Sequence, residues 1–105
     1  MSKYDVEVMR IFKVKELQKI TKDTKRVFLG SATISINGVA ISNCAVTRNV
    51  ENKKLGDFHF NMPQIKGKDD NYYNICWLNA DREEAAKVYR KITEAIESAF
   101  EESEE

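Results

Sequence analysis

The sequence predicts an α+β domain: a four- to five-stranded antiparallel sheet with a C-terminal amphipathic helix packed on one face. Three observations carry this. Asn37-Gly38 separates two alternating runs, Ser31–Ile36 and Val39–Val46, and Asn-Gly is the strongest short-range hairpin signal because a type I′ turn needs positive φ at both central residues. Asp57 to Met62 alternates with Phe58, Phe60 and Met62 inward, then stops at Pro63, which cannot donate to a ladder. From Asn79 onward the apolar period becomes helical: Val88, Tyr89, Ile92, Ala95, Ile96, Ala99 and Phe100 recur at three and four, one stripe of an amphipathic helix.

Each element follows in order. Tyr4 to Val14 reads as a strand with Val6, Val8, Phe12 and Val14 on one face and Met9 and Ile11 on the other, the alternation broken by Arg10. Glu16 to Arg26 is a polar, Lys-rich connection around Asp23-Thr24, either a mobile loop or an extended hairpin tip. Arg26 to Ile36 leads into the central hairpin. A two-residue turn pairs Ile36 with Val39 and Ile34 with Ile41, placing these four on one apolar face. Continued without a break it would pair Ala32 with Asn43, yet the next apolar residues are Cys44 and Val46. A one-residue slip turns side chains to the wrong face unless a β-bulge near Ser42-Asn43 absorbs it.

Thr47 to Gly56 reads as a polar connection carrying Arg48, Lys53 and Lys54. Gln64 to Asn71 reads as a loop with Lys66-Gly67-Lys68-Asp69-Asp70. Tyr72 to Leu78 is the last strand, with Tyr73, Ile75 and Trp77 on one face and Tyr72, Asn74, Cys76 and Leu78 on the other. Asn79 or Asp81 can cap the helix, and Asp81-x-x-Glu84 matches a capping box. Ile92 and Ile96, at the centre of the stripe, should be buried against the sheet.

A chain of 105 residues is read as one domain, 1–105, with the acidic end 101–105 frayed. At 42% hydrophobic and 32% charged it is too apolar for disorder. The formal net charge of zero announces no nucleic-acid binder through the whole-protein field. The distribution is uneven: residues 1–30 hold eight Lys/Arg against four Asp/Glu, and residues 81–105 hold four against nine. Cys44 and Cys76 sit in apolar runs and are read as reduced core residues. No charged-then-apolar leader opens the chain and no apolar run approaches ~18 residues, so a cytoplasmic protein with no membrane association is expected.

Catalytic chemistry finds no foothold. His59 lies alone on the polar parity of a short strand, and general acid–base work would need a partner that the sequence does not mark. The cysteines lack metal-ligand spacing. No glycine-rich phosphate loop is present, and Asp69-Asp70, flanked by lysine, reads as a solvated turn. The expectation is a non-enzyme without metal or cofactor. The live signal is basic: Lys66 and Lys68, followed by Tyr72 and Tyr73, with Arg48, Lys53 and Lys54 in the other connection. Cations beside aromatics can track a phosphate backbone and stack bases.

The order Val39-Ala40-Ile41-Ser42-Asn43-Cys44-Ala45-Val46, Phe58-His59-Phe60-Asn61-Met62-Pro63, Tyr72-Tyr73-Asn74-Ile75-Cys76 and an amphipathic C-terminal helix resembles the stage V sporulation protein G (SpoVG) family over most of residues 4–100. The Met-Pro step is its most specific piece. The resemblance implies a small bacterial cytoplasmic protein that dimerises and binds nucleic acid, DNA or RNA, as a regulator, including of sporulation and septation. It puts the family's basic loop at Gln64–Asn71, hence Lys66 and Lys68 as contact residues. Beside that, Arg48, Lys53 and Lys54 in the other connection are read as extending the patch. The sequence departs from the family at basic positions. Gln64 and Ile65 follow Met-Pro, Tyr73 precedes the Asn-Ile pair, and Ala45 stands in the second hairpin strand. Leu78 stands where a proline commonly precedes the helix. Lost cations mean lost phosphate contacts, so weak binding is expected. A regulatory adaptor that binds a protein partner through its acidic helix and tail is the alternative.

Overall fold

Asn37 and Gly38 take φ of 51° and 84°, the left-handed conformation at both central positions that a type I′ turn requires. A computed structural model describes residues 4–102. Along them run β1 (Val6–Lys13), β2 (Arg26–Ile36), β3 (Val39–Glu51), β4 (Lys54–Asn61), β5 (Gln64–Lys66), β6 (Tyr72–Asn74) and α1 (Arg82–Glu102). Strands β1 to β4 form one antiparallel sheet in chain order, and β5 and β6 pair separately.

The central hairpin, β2–β3, pairs Ile36 with Val39 and Ile34 with Ile41, then Ala32 with Cys44 rather than Asn43. The bulge falls at Ser42-Asn43, where Asn43 takes φ of 62°, and it returns Cys44 and Val46 to the buried face. Val39, beside the turn, stays 62% exposed. A second irregularity in β2 lies between Phe28 and Gly30. It lets Val27 and Leu29 share the buried face with Ala32, Ile34 and Ile36 despite their opposite parity. Gly30 makes that step possible: its φ is +149°, and an added Cβ would sit 1.8 Å from the carbonyl oxygen of Phe12 on β1.

Strand β1 corrects the simple alternation. A register shift between Val8 and Arg10 makes Met9 the extra residue, so Ile11 packs against the core while Phe12 turns outward, 68% exposed. The Thr47–Gly56 connection is also corrected. Strand β3 continues to Glu51 and β4 begins at Lys54, joined by a two-residue turn at Asn52-Lys53 with φ of 52° and 65°. Residues 14–25 contain no strand and no extended hairpin tip. Thr21 and Thr24 close a turn there, the Thr24 N–H donating to the Thr21 carbonyl at 3.1 Å.

Helix α1 lies on one face of the sheet, against β1 and β4. Asp81 caps it, its Oδ1 accepting from the Glu84 N–H at 2.8 Å. The Glu84 carboxylate accepts instead from the Tyr4 hydroxyl at 3.3 Å. Val88, Ile92, Ile96 and Phe100 are buried, Ile92 and Ile96 at 0% and 1% exposure. Phe58 meets Phe100 with ring centroids 6.2 Å apart, and Phe60 meets Tyr89 at 5.6 Å. Glu101 and Glu102 are helical rather than frayed. Residues 103–105, the rest of the acidic end, lie outside the described residues.

Pro63 stops β4, and the chain then builds a short arm where a loop and a long last strand are expected from sequence. The strand beginning at Tyr72 ends at Asn74. The alternation beyond it survives without a ladder: Cys76 and Leu78 pack against the core, while Ile75 and Trp77 are 60% and 67% exposed. No described helix is long and apolar enough to cross a membrane.

Candidate nucleic-acid interface

The arm formed by β5 and β6 carries the first two candidate residues. Gln64 pairs with Asn74, Ile65 with Tyr73 and Lys66 with Tyr72. Directly opposed residues of an antiparallel pair share a face, so Gln64, Lys66, Tyr72 and Asn74 project to one side and Ile65 and Tyr73 to the other. All six are exposed. The arm is held by local polar contacts rather than burial. Gln64 Nε2 donates to Asn74 Oδ1 at 2.8 Å, and the Ile75 N–H donates to the Pro63 carbonyl at 3.0 Å. The turn closes through the Gly67 N–H to the Asn71 carbonyl at 2.8 Å.

Tyr73 and Tyr72 differ. The Tyr73 ring lies over Gly67, so closely that a Cβ there would be 2.7 Å from Tyr73 Cε2, and its hydroxyl donates to Asp69 Oδ2. Asp69 also accepts from the Asn71 side-chain amide at 3.1 Å and backbone at 3.2 Å. The Tyr73 hydrogen bond first, then the Asn71 bonds, hold the Asp69 carboxyl below its ordinary range. Tyr72 is 64% exposed, opposite Lys66.

Electrostatically the arm is balanced. Lys66 pairs with Asp70 at 3.6 Å, both side chains largely exposed, a contact of little energetic weight. Lys68 has no carboxylate partner among the described residues.

The remaining three candidates lie elsewhere. Lys53 sits in the β3–β4 turn and Lys54 opens β4, whereas the arm leaves from the far end of that strand. Eight residues of β4 put roughly 25 Å between them at ~3.3 Å per residue, so these lysines do not extend a patch centred on Lys66. Arg48 is on a strand, not in a loop, and faces the helix side of the sheet. It opposes Val27 and Phe58, both buried. Its guanidinium lies 4.5 Å from the Phe58 ring centroid, and its Nε donates to the Gly56 carbonyl at 2.8 Å.

His59 lies on the outer face with Nε2 2.9 Å from Asn49 Nδ2. Cys44 and Cys76 are unbridged, Cys44 buried and Cys76 half-buried. Burial, with a smaller contribution from Cys76, pushes the Cys44 thiol up to about 11. Sequence reasoning missed the exposure of Ile65 on the arm and of Ile75 and Trp77 just after it. The odd parity of Ile65, Tyr73, Ile75 and Trp77 was the available signal. No protein-family model, curated protein or solved structure matches the chain.

Proposed function

We propose that the chain is a small cytoplasmic nucleic-acid-binding regulator of the SpoVG type, acting as a homodimer, with the β5–β6 arm as its contact element. The observation that carries this reading is the pairing of Lys66 with Tyr72 on one exposed face of the arm. A cation for phosphate and a free aromatic face for a base stand side by side, the combination that single-stranded nucleic acid takes. The outer edges of β1 and β4 have no partner strand among the described residues. Unpaired edges need cover, and a second copy related by two-fold symmetry supplies it in this proposal.

Asp69 and Asp70 beside the lysines limit the field. Binding is therefore weak and largely independent of sequence, near the ~10⁻⁴–10⁻⁶ M of non-specific complexes. Lys66 and Lys68 from two copies offer about four phosphate contacts, a log–log salt slope of about −3 on single strands. A fluorescence titration with single- and double-stranded oligonucleotides at low and moderate salt tests this. The expected result is tighter, salt-dependent binding of the single strand, weakened across all sequences by the double change Lys66→Ala and Lys68→Ala. Sedimentation tests the dimer, which a species of ~12 kDa across micromolar concentrations would remove from consideration.

The second reading, an adaptor for a protein partner, is favoured by Ile65, Ile75 and Trp77, exposed at 58%, 60% and 67%. Apolar and indole surface of this kind fits a protein interface better than a phosphate track. If no oligonucleotide binds in a salt-dependent way, that reading replaces the first.

A further inference from the structure

Arg48 is out of place by the ordinary rules of burial. It occupies a helix-side position of β3 between Val46 and Val50, both buried. A cation half-withdrawn from water normally has a carboxylate beside it. Arg48 has instead an aromatic face, Phe58, and one carbonyl, that of Gly56. Those two contacts fix the plane of the guanidinium and use only Nε. The two Nη groups have no partner among the described residues.

Arg48 lines a concavity of about 440 Å³, together with Lys13, Leu17, Leu29, Leu55, Phe58, Phe100 and Glu101. Leu17 brings in the long connection after β1, and Phe100 brings in the last turn of α1. Lys13 Nζ is the second cation, 5.9 Å from the Phe100 ring centroid. The volume falls in the range of small-molecule sites, and the lining sets apolar side chains beside three charged ones, Lys13, Arg48 and Glu101.

We propose that this cavity binds an amphiphilic monocarboxylate, its head on the Arg48 guanidinium and its hydrocarbon body along Leu17, Leu29, Leu55 and the Phe58 and Phe100 rings. A guanidinium already held in one plane matches a carboxylate by two parallel N–H bonds, with little further ordering required. Glu101 and the carbonyl end of α1 are negative, so the head group sits at the Arg48 side and the body points toward the helix. At about 30 Å³ per water-sized group, the space takes on the order of a dozen heavy atoms, a medium-length acyl carboxylate. The site is independent of the arm and of any nucleic-acid contact.

The test is an NMR titration of the whole chain with sodium decanoate and, in parallel, with decanol. Decanoate is expected to give saturable amide shifts confined to residues 13–17, 29, 48–58 and 100–101, and decanol is expected to bind at least about tenfold more weakly. Arg48→Met keeps the apolar stem and removes the head-group partner, and should weaken decanoate by about tenfold or more. Glu101→Gln removes the opposing carboxylate and should tighten it. Absence of saturable shifts, shifts elsewhere, or equal binding of the acid and the alcohol to the wild-type chain overturns the proposal without relying on a variant. So does a folded Arg48→Met chain that binds decanoate as tightly as wild type.

Discussion

The four-stranded sheet with its helix and the two-stranded arm are built from the same alternating β-pattern but held by different forces. In the sheet, Val27, Ile34, Val46, Ile92 and Ile96 are fully or almost fully withdrawn from water, and burial of apolar surface dominates. In the arm all six strand residues are exposed. What fixes it is the turn of Gly67 to Asn71, the Tyr73–Asp69 bond and the Gln64–Asn74 bond. Net contributions of such bonds are small, and a two-stranded hairpin alone is marginal in water. The difference teaches that the arm can change its surface with little cost to the fold, whereas the sheet cannot. A contact surface placed on the arm is free to diverge.

The comparison breaks hardest at Gly30. An added methyl would collide with the Phe12 carbonyl at 1.8 Å, and φ of +149° disfavours any side chain. Gly30→Ala should cost about 4 kcal/mol or more, read as loss of cooperative unfolding or a collapse of the denaturation midpoint. A melting curve within a few degrees of wild type would show that β1 and β2 can separate at this point without loss.

Ile96→Ala comes next. The side chain is 1% exposed, and truncation should cost about 2–5 kcal/mol, a fall of about 10 °C or more in Tm for a chain of this size. An unchanged Tm would mean that the helix face is wrongly assigned. Cys44 probes the same core more gently. Its thiol titrates at about 11 in the folded chain against 9.0 ordinarily. The folded state therefore holds the proton longer than the unfolded chain. Stability is unaffected below about 9 and falls as pH rises from there toward 11. A thiol reagent at mildly alkaline pH should modify half-buried Cys76 first and reach Cys44 only on unfolding. Equal rates at both cysteines would contradict the burial.

How much of this was readable from sequence follows the same division. The Asn37-Gly38 hairpin, the bulge at Asn43, the inward Phe58, Phe60 and Met62 and the helix stripe were all legible, because each couples a strong local signal to a buried face. The reversal at Met9 was not, since Met9, Ile11 and Phe12 are all apolar and either parity satisfies the pattern. The Asn52-Lys53 turn was hidden because lysine rarely takes the positive φ that it holds there. From sequence the arm reads as a loop and part of a longer strand, because it has no core-facing side for alternation to report. For the candidate site, Lys66, Lys68 and the tyrosines were legible as a cluster. The separation of Lys53 and Lys54 from it, and the inward turn of Arg48, depend on where strands end, which sequence locates poorly.

Asp69→Asn sharpens the comparison from the arm's side. Asp69 is fully exposed, and its carboxylate is held in the charged form chiefly by the Tyr73 hydroxyl. With the folded pKa below the ordinary 3.8, the stabilisation is complete above the ordinary value. It is lost as pH falls through the lower folded one. The Tyr73 ring resonances should therefore keep their folded shifts to pH below the usual carboxylate range, then average. Asp69→Asn should produce that averaging at neutral pH while the core Tm stays within about 2 °C. A large fall in Tm would mean that the arm and the sheet unfold as one unit.

The smallest effect on the fold, and the sharpest division within the arm, is expected from its two tyrosines. Tyr72→Ala removes an exposed ring opposite Lys66 that makes no hydrogen bond among the described residues, so neither the Tm nor the Tyr73 resonances should move. Tyr73→Ala removes the ring over Gly67 and the bond to Asp69, so the turn should loosen while the sheet remains intact. Binding separates the two differently. If single strands stack on Tyr72, its loss costs about 1–3 kcal/mol of affinity, the usual contribution of one base–aromatic stack. The salt slope is left unchanged, because no cation is removed. Tyr73→Ala acts only through the arm's order and should weaken binding less, with the deficit recovered on cooling. Equal losses for the two tyrosines would mean that the arm binds through its shape alone. A loss for Tyr72→Ala accompanied by a flatter salt slope would mean that the ring positions Lys66 rather than carrying a base.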